Sequence, residues 1–197
     1  MRLLSEPAEG ALAVTVTSLE MHDPGELTVV EVPNGASWSR VMTDRHATSR
    51  TFYRTVGEAW HWVDRRDWTT DQWRTWADRP EHHLLVCQRD GVDSGYAEVE
   101  EQSGGNMEIA YFGLLPEAIG TGLGRWWLAE VIRYAWSIPG ARRIWVHTCT
   151  LDAPAALTTY QGCGLREYAR EVEWRMPDPV PVPEAETDPT TAPWLTP

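Results

Sequence analysis

Residues 107–127 read MEIAYFGLLPEAIGTGLGRWW, and this stretch decides the fold. It joins a strand-like run to a proline turn at Pro116, then a glycine cluster at Gly120, Gly122 and Gly124, then the apolar stripe of a helix. Glycine lacks a Cβ, so a chain passing from strand to helix there can turn sharply. It can also offer backbone N–H groups to an anion at the helix N-terminus. The stretch therefore reads as a pocket for a phosphate-bearing ligand.

Working outward, the helix from Gly122 to about Ser137 puts Trp127, Leu128, Val131 and Ala135 along one side. Arg125, Glu130 and Arg133 face water, and Pro139-Gly140 stops the helix. Upstream, HLLVCQR (83–89), SGYAEVEE (94–101) and MEIAYFGLL (107–115) read as strands. They are separated by Asp90-Gly91 and Gly104-Gly105-Asn106, and such short connections make neighbouring antiparallel strands. Downstream, RRIWVHTC (142–149) is the next strand. Strand, helix, strand implies a right-handed crossover and a parallel pair. A shorter helix from Pro154 to Gln161, which Asp152 can cap, and a final strand over 165–176 complete this half.

Toward the N-terminus, ALAVTVTSL (11–19) and LTVVEV (27–32) alternate as strands do. They form either a hairpin across His22-Asp23-Pro24-Gly25 or a first strand that lies across the domain. Residues 46–60 suit a helix with Phe52, Tyr53 and Val56 near one face. A second helix runs from Thr70 to Ala77, capped by Thr69 or Thr70. Residues 1–176 thus form one domain, and the proline- and acid-rich 177–197 an extended or disordered tail.

At 197 residues and 42% hydrophobic, the chain buries one full core. A formal charge of −12 argues against nucleic-acid and anionic-membrane partners. Most of the 12 tryptophans are accounted for by core filling. Cys87, Cys149 and Cys163 are an odd number with no close-spaced pair, which fits a reducing, cytoplasmic setting. No run approaches membrane-spanning length, and MRLLSEPAEG lacks the apolar region of a signal peptide.

Two familiar glycine motifs fail on their required residues. A dinucleotide fingerprint would need glycine where Arg125 stands, and a P-loop would need Lys-Ser/Thr where Arg125-Trp126 follows Gly124. Over roughly residues 28–175 the sequence instead resembles the GCN5-related N-acetyltransferase (GNAT) superfamily. The family's Gln/Arg-x-x-Gly-x-Gly/Ala signature corresponds to Ile119-Gly120-Thr121-Gly122-Leu123-Gly124, preceded by Leu114-Leu115-Pro116-Glu117. Ile119 departs from the usual Gln or Arg. A second match lies in Ala156, Tyr160, Gly164 and Leu165, with Asp152 one residue before the usual Asn position, which falls on Ala153.

The resemblance implies an α/β (α+β) fold whose mixed, mostly antiparallel, twisted sheet is flanked by helices. It implies acetyl-CoA bound at the splay between the family's fourth and fifth strands. Backbone N–H groups around Gly120, Thr121, Gly122, Gly124 and Arg125 would hold the pyrophosphate, in a segment that also includes Ile119 and Leu123. Leu114 would pair with the pantetheine arm, near Asp152, Ala156 and Tyr160. Transfer of the acetyl group to a primary amine would be direct, in a ternary complex. The Leu114 or Leu115 N–H would steady the developing oxyanion, and the Tyr160 phenol would protonate the departing sulfur or else only pack against the arm.

Glu108 is the first candidate base. It lies six residues before Leu114, so an unbroken strand puts both side chains on one face and Tyr111 on the other. An outward salt-bridging role for Glu108 is the competing reading, and His147 is a further candidate base. WHWVDRRDW (60–68) is either a loop pinned by indoles or a wall of the acceptor pocket carrying Trp60, Trp62, Asp64 and Arg65, with Tyr111 and His147 opposite. The acceptor would be a small-molecule amine or a peptide, including an amine that also carries an acid. The N-terminal strand pair, lying beyond the family minimum, would cover a sheet edge or build a homodimer interface. His82, His83 and Cys87 match no standard metal site. Two other classes share these residues: a non-catalytic coenzyme A sensor, and a transferase of longer acyl chains or to an oxygen nucleophile.

Overall fold

The computed structural model describes residues 2–176, and the predicted tail at 177–197 lies outside the described residues. The elements are β1 (Arg2–Leu4), β2 (Leu12–Met21), β3 (Ala36–Arg40), α1 (Arg45–Gly57), α2 (Thr70–Ala77), β4 (His82–Arg89), β5 (Val92–Gln102), β6 (Asn106–Leu114), α3 (Leu123–Ser137), β7 (Arg143–Cys149), α4 (Ala156–Gly162) and β8 (Arg166–Met176). All eight strands join one sheet in the order β1-β8-β2-β7-β6-β5-β4-β3. Neighbours are antiparallel except β6 and β7, the parallel pair expected from the crossover through α3.

Local sequence explains the helices that frame the site. Thr69 caps α2 through a reciprocal capping box with Gln72, so two orphan N–H groups are satisfied together. The apolar face of α3 buries Leu123, Trp127, Leu128, Val131, Ile132 and Ala135 on one side of the sheet, against Ala97, Val99, Met107 and Ile109. Each large side chain fully buried there stabilises the fold by about 1.5–3 kcal/mol. On the opposite side, Phe52, Tyr53 and Val56 of α1 and Trp73 of α2 pack on Leu84, Val86 and Tyr96. Gly113 makes this seating possible, because a Cβ there would lie 2.3 Å from Val56 Cγ1.

Four expectations are corrected. Residues 27–32 form no strand: the Thr28 N–H donates to the Cys163 carbonyl, Leu27 and Val30 pack on the core, and Val29 is 87% exposed. That segment is a strap carrying the chain from β2 to β3 at the far edge of the sheet. The first long strand, β2, neither covers an edge nor pairs in a hairpin. It is inserted between β7 and β8, with Ser18 opposite His147 and Val14 opposite Glu173. Asp152 does not cap α4, whose N-cap is Ala155. Its Oδ2 turns back to accept from Thr148 Oγ1 at 2.7 Å and the Cys149 N–H at 2.9 Å.

The fourth correction reorders the site. Between Ile109, opposite Val99, and Tyr111, opposite Glu98, Ala110 is an extra residue in β6. This β-bulge breaks the period of two. Glu108 and Tyr111 consequently share the α1/α2 face, while Leu114, opposite Gly95, points to the α3 face.

Candidate active site

The parallel ladder between β6 and β7 holds three registered pairs, ending at Glu108 with Trp145. Beyond it the strands diverge, β6 running to Leu114 and β7 to Cys149. The resulting slot is part of a cavity of about 850 Å³ that continues to the loop between α1 and α2. Leu114, Gly120, Gly124, Asp152, Ala156 and Tyr160 line one part of it, and Glu108, His147, Trp60, Trp62, Asp64, Arg65 and Tyr111 another.

At the anion end, β6 gives way to a 3-10 turn at Pro116–Ala118 and then to α3. Gly120 and Gly122 have φ of +78° and +85°, with open space where a Cβ would project. Glycine is required there by conformation rather than crowding. Gly122 is the N-cap of α3 and offers no side chain, so the first-turn N–H groups at Leu123, Gly124 and Arg125 are left without a side-chain cap. The Leu123 side chain is fully buried, so only its backbone is available. Thr121 is exposed, with its N–H and Oγ1 both donating to the Ala118 carbonyl. Arg89 of β4 donates to the Thr121 carbonyl at 3.2 Å, and Arg125 Nη2 to the Gly162 carbonyl at 2.7 Å. Two guanidiniums thus flank the glycine loop, and a bare helix N-terminus with cations beside it fits a pyrophosphate. Ile119 is half exposed at the cavity wall and adds no charge.

In the slot, the two candidate oxyanion donors separate. The Leu115 N–H donates to the Ser94 carbonyl at 2.9 Å and is already used. Strand amides alternate in direction, so the Leu114 N–H points the other way, toward the slot. Tyr160 is 7% exposed and reaches the cavity from α4, with Phe112 edge-on at 6.2 Å between ring centroids. Burial, with the Asp152 charge nearby, pushes its phenol well above the ordinary value, so it stays protonated. Asp152 Oδ2 accepts from the end of β7 and staples that loop, while the residue also lines the cavity.

Across the slot, Glu108 Oε2 accepts from Gln102 Nε2 at 2.6 Å, and Gln102 Oε1 accepts from Trp145 Nε1 at 3.1 Å. His147 Nδ1 lies 3.6 Å from Glu108 Oε1, at ion-pair rather than hydrogen-bond distance. That carboxylate holds the imidazole above its usual value in spite of partial burial. The two candidate bases are thus one coupled pair.

The expected acceptor wall differs at Arg65. Its Nη1 donates to Glu98 Oε2 at 2.8 Å, and its guanidinium lies between Trp76 at 3.9 Å and Tyr111 at 4.2 Å. Glu98 is fully buried and also accepts from Ser49 Oγ and Trp76 Nε1. His82 Nε2 stands 3.2 Å away, off line for a hydrogen bond. Burial alone would raise the Glu98 carboxyl, but the His82 imidazole, the Arg65 charge and the Ser49 hydroxyl outweigh it and hold it at about 2. Arg65 is therefore a structural strut under the wall. Asp64 sits on the cavity side, accepting from Tyr53 Oη at 2.8 Å and from Tyr111 Oη. Sequence reasoning missed Glu98, Gln102 and Arg89. The first two lie on the strand that pairs with β6, and their polarity in a buried strand was the available signal.

A mostly antiparallel sheet opened at its parallel pair, beside a glycine-started helix, is the frame of an α/β fold with its cavity at the strand divergence. Residues 45–165 match the model of the Acetyltransferase (GNAT) family, and the chain belongs to that family, whose general activity is acyl-coenzyme A-dependent acetyl transfer. No curated protein matches it in sequence. Among solved structures it is similar in fold to a GCN5-related N-acetyltransferase from Kribbella flavida (22% identity, TM-score 0.62, covering 86% of this chain and 61% of that one). It is also similar to a GCN5-related N-acetyltransferase from Sphaerobacter thermophilus (16% identity, TM-score 0.65, covering 84% and 52%). An aminoglycoside acetyltransferase from an uncultured soil metagenomic sample matches at 12% identity and TM-score 0.55, covering 68% and 90%. The chain spans 61% and 52% of the first two.

Proposed function

We propose that this chain is an N-acetyltransferase that moves the acetyl group of acetyl-CoA directly to a primary amine of a small molecule or peptide within a ternary complex. The observation that carries this reading is that one cavity collects the bare N-terminus of α3, the Tyr160 phenol and the Glu108–His147 pair. Acetyl-CoA, when bound, supplies a thioester whose carbonyl accepts the amine. The first-turn N–H groups of α3 would hold its phosphates, and the Leu114 N–H would steady negative charge on the carbonyl oxygen. Tyr160 Oη holds the proton that the departing thiolate needs, and its raised phenol makes it a donor at neutral pH. Glu108, with His147, receives the proton that the amine loses.

The three unpaired cysteines support a cytoplasmic setting. Among the described residues no helix is long and apolar enough to cross a membrane.

Calorimetric titration with acetyl-CoA tests the reading, comparing wild type, Gly122→Ala and Gly122→Glu. Any side chain at φ +85° is strained, and the alanine variant isolates that cost. Binding that survives in the alanine variant and is lost in the glutamate one supports the phosphate cradle. Absence of wild-type binding ends the proposal.

A further inference from the structure

The acceptor wall holds a carboxylate that no guanidinium hydrogen-bonds. Both hydrogen bonds to Asp64 come from neutral phenols, Tyr53 and Tyr111, which fix its orientation and leave its charge intact. The nearest guanidinium, Arg65, approaches only to 3.9 Å at Nε and is spent on the buried Glu98. A carboxylate offers about four lone-pair sites, so about two remain open. The Asp64 side chain is 62% exposed where it lines the cavity.

Around it stands an aromatic frame. Trp62 meets Tyr111 at 4.9 Å and Tyr53 at 5.7 Å between ring centroids, and Tyr53 meets Tyr111 at 5.3 Å. The Trp62 indole, which lines the cavity beside that carboxylate, favours an organic cation. The cavity's guanidiniums are meanwhile occupied: Arg65 by Glu98, and Arg175 by Glu173 at 2.6 Å. An acid group on the acceptor would meet no uncommitted guanidinium among the described cavity residues, whereas a second ammonium would meet Asp64.

We infer that the acceptor is a diamine or longer polycation, with its reacting amine toward Glu108 and a second ammonium seated on Asp64 against Trp62 and Tyr111. The reacting amine rests on the transferase reading, and the second seat rests on the geometry of Asp64. The bulge at Ala110 brings Tyr111, whose hydroxyl donates to Asp64, onto Glu108's face one strand repeat away, roughly 7 Å along β6. Asp64 is on this view the residue that sets acceptor specificity, and the amine that also carries an acid is disfavoured.

The test is calorimetric titration of the full chain with putrescine, cadaverine and butylamine, in wild type and Asp64→Asn, in the presence of coenzyme A. Thermal melts and acetyl-CoA titrations of both proteins accompany it. The diamines are expected to bind about tenfold more tightly than butylamine, and Asp64→Asn to abolish that preference while acetyl-CoA affinity stays the same. Equal binding of diamine and monoamine by wild type overturns the inference, as does an unchanged preference in a folded Asp64→Asn. Should that variant melt early, the wild-type comparison decides alone. An Asp64-dependent preference without acetyl-CoA binding would uphold the second-cation seat and remove the transferase reading. Acetyl-CoA binding without any preference would do the reverse.

Discussion

His147 Nδ1 on β7 and Glu108 Oε1 on β6 face each other at 3.6 Å where the last registered pair of the parallel ladder ends. The carboxylate raises the imidazole's titration midpoint, so His147 keeps its charge to higher pH than an isolated histidine. A raised folded value contributes stability that is complete below the unfolded value and is lost as pH rises through the folded one. Because the ring is half exposed, solvent screening keeps that contribution small. NMR titration should place the His147 midpoint above the ordinary histidine value, and Glu108→Gln should lower it. A midpoint that ignores the substitution would show that the pair is uncoupled in solution.

The Glu98 centre should govern acid stability. Its folded value of about 2 lies below the unfolded 4.5, so its contribution is present above about 4.5 and disappears as pH falls through about 2. Urea unfolding of wild type should weaken steeply across that window, while Glu98→Gln gives a flatter profile. At neutral pH the variant should lose about 3–5 kcal/mol, because Arg65 is left buried without its counter-charge. Parallel pH profiles for the two proteins would refute this account.

Gly113→Ala should loosen α1. The new methyl would lie 2.3 Å from Val56 Cγ1, and overpacking of this kind costs about 1–3 kcal/mol. Adding Val56→Ala makes room, so the double variant should lose less than the sum of the two single losses. Strict additivity in denaturant melts would locate the strain elsewhere.

Tyr160→Phe separates the two readings of that phenol. Under the proposed mechanism kcat falls about 10²- to 10⁴-fold while calorimetric affinity for acetyl-CoA is retained. A proportionate loss of affinity, with kcat retained at saturation, would make Tyr160 a packing residue.

Much of this was legible because it is local. The Thr69 cap, the α3 stripe and the three-strand meander are written in residues a few positions apart, and they appear where expected. What escaped depends on distant chain. Leu27 and Val30 look like strand residues because they are core residues, yet their backbone finds Cys163 instead of a ladder. Nothing in the alternation of Glu108 to Leu114 announces the extra Ala110, because a bulge is set by what both strands must bury. Arg65 looked available for a substrate because its partner, Glu98, lies 33 residues away on β5. The glycine cluster was readable for the opposite reason: few arrangements use three glycines at a strand-to-helix handover, whereas Tyr160 was singled out only by the family resemblance.

The insertion of β2 between β7 and β8 also orders the birth of the fold. During synthesis β2 leaves the ribosome before β3 to β8, yet both strands that flank it are encoded near the far end of the described chain. Its backbone N–H and C=O groups must wait without sheet partners while β3 to β6 and the helices emerge and assemble. Closure of the sheet is then a late, long-range event, slow by the entropy of the loop it closes. Until it happens, β7 presents an unpaired edge.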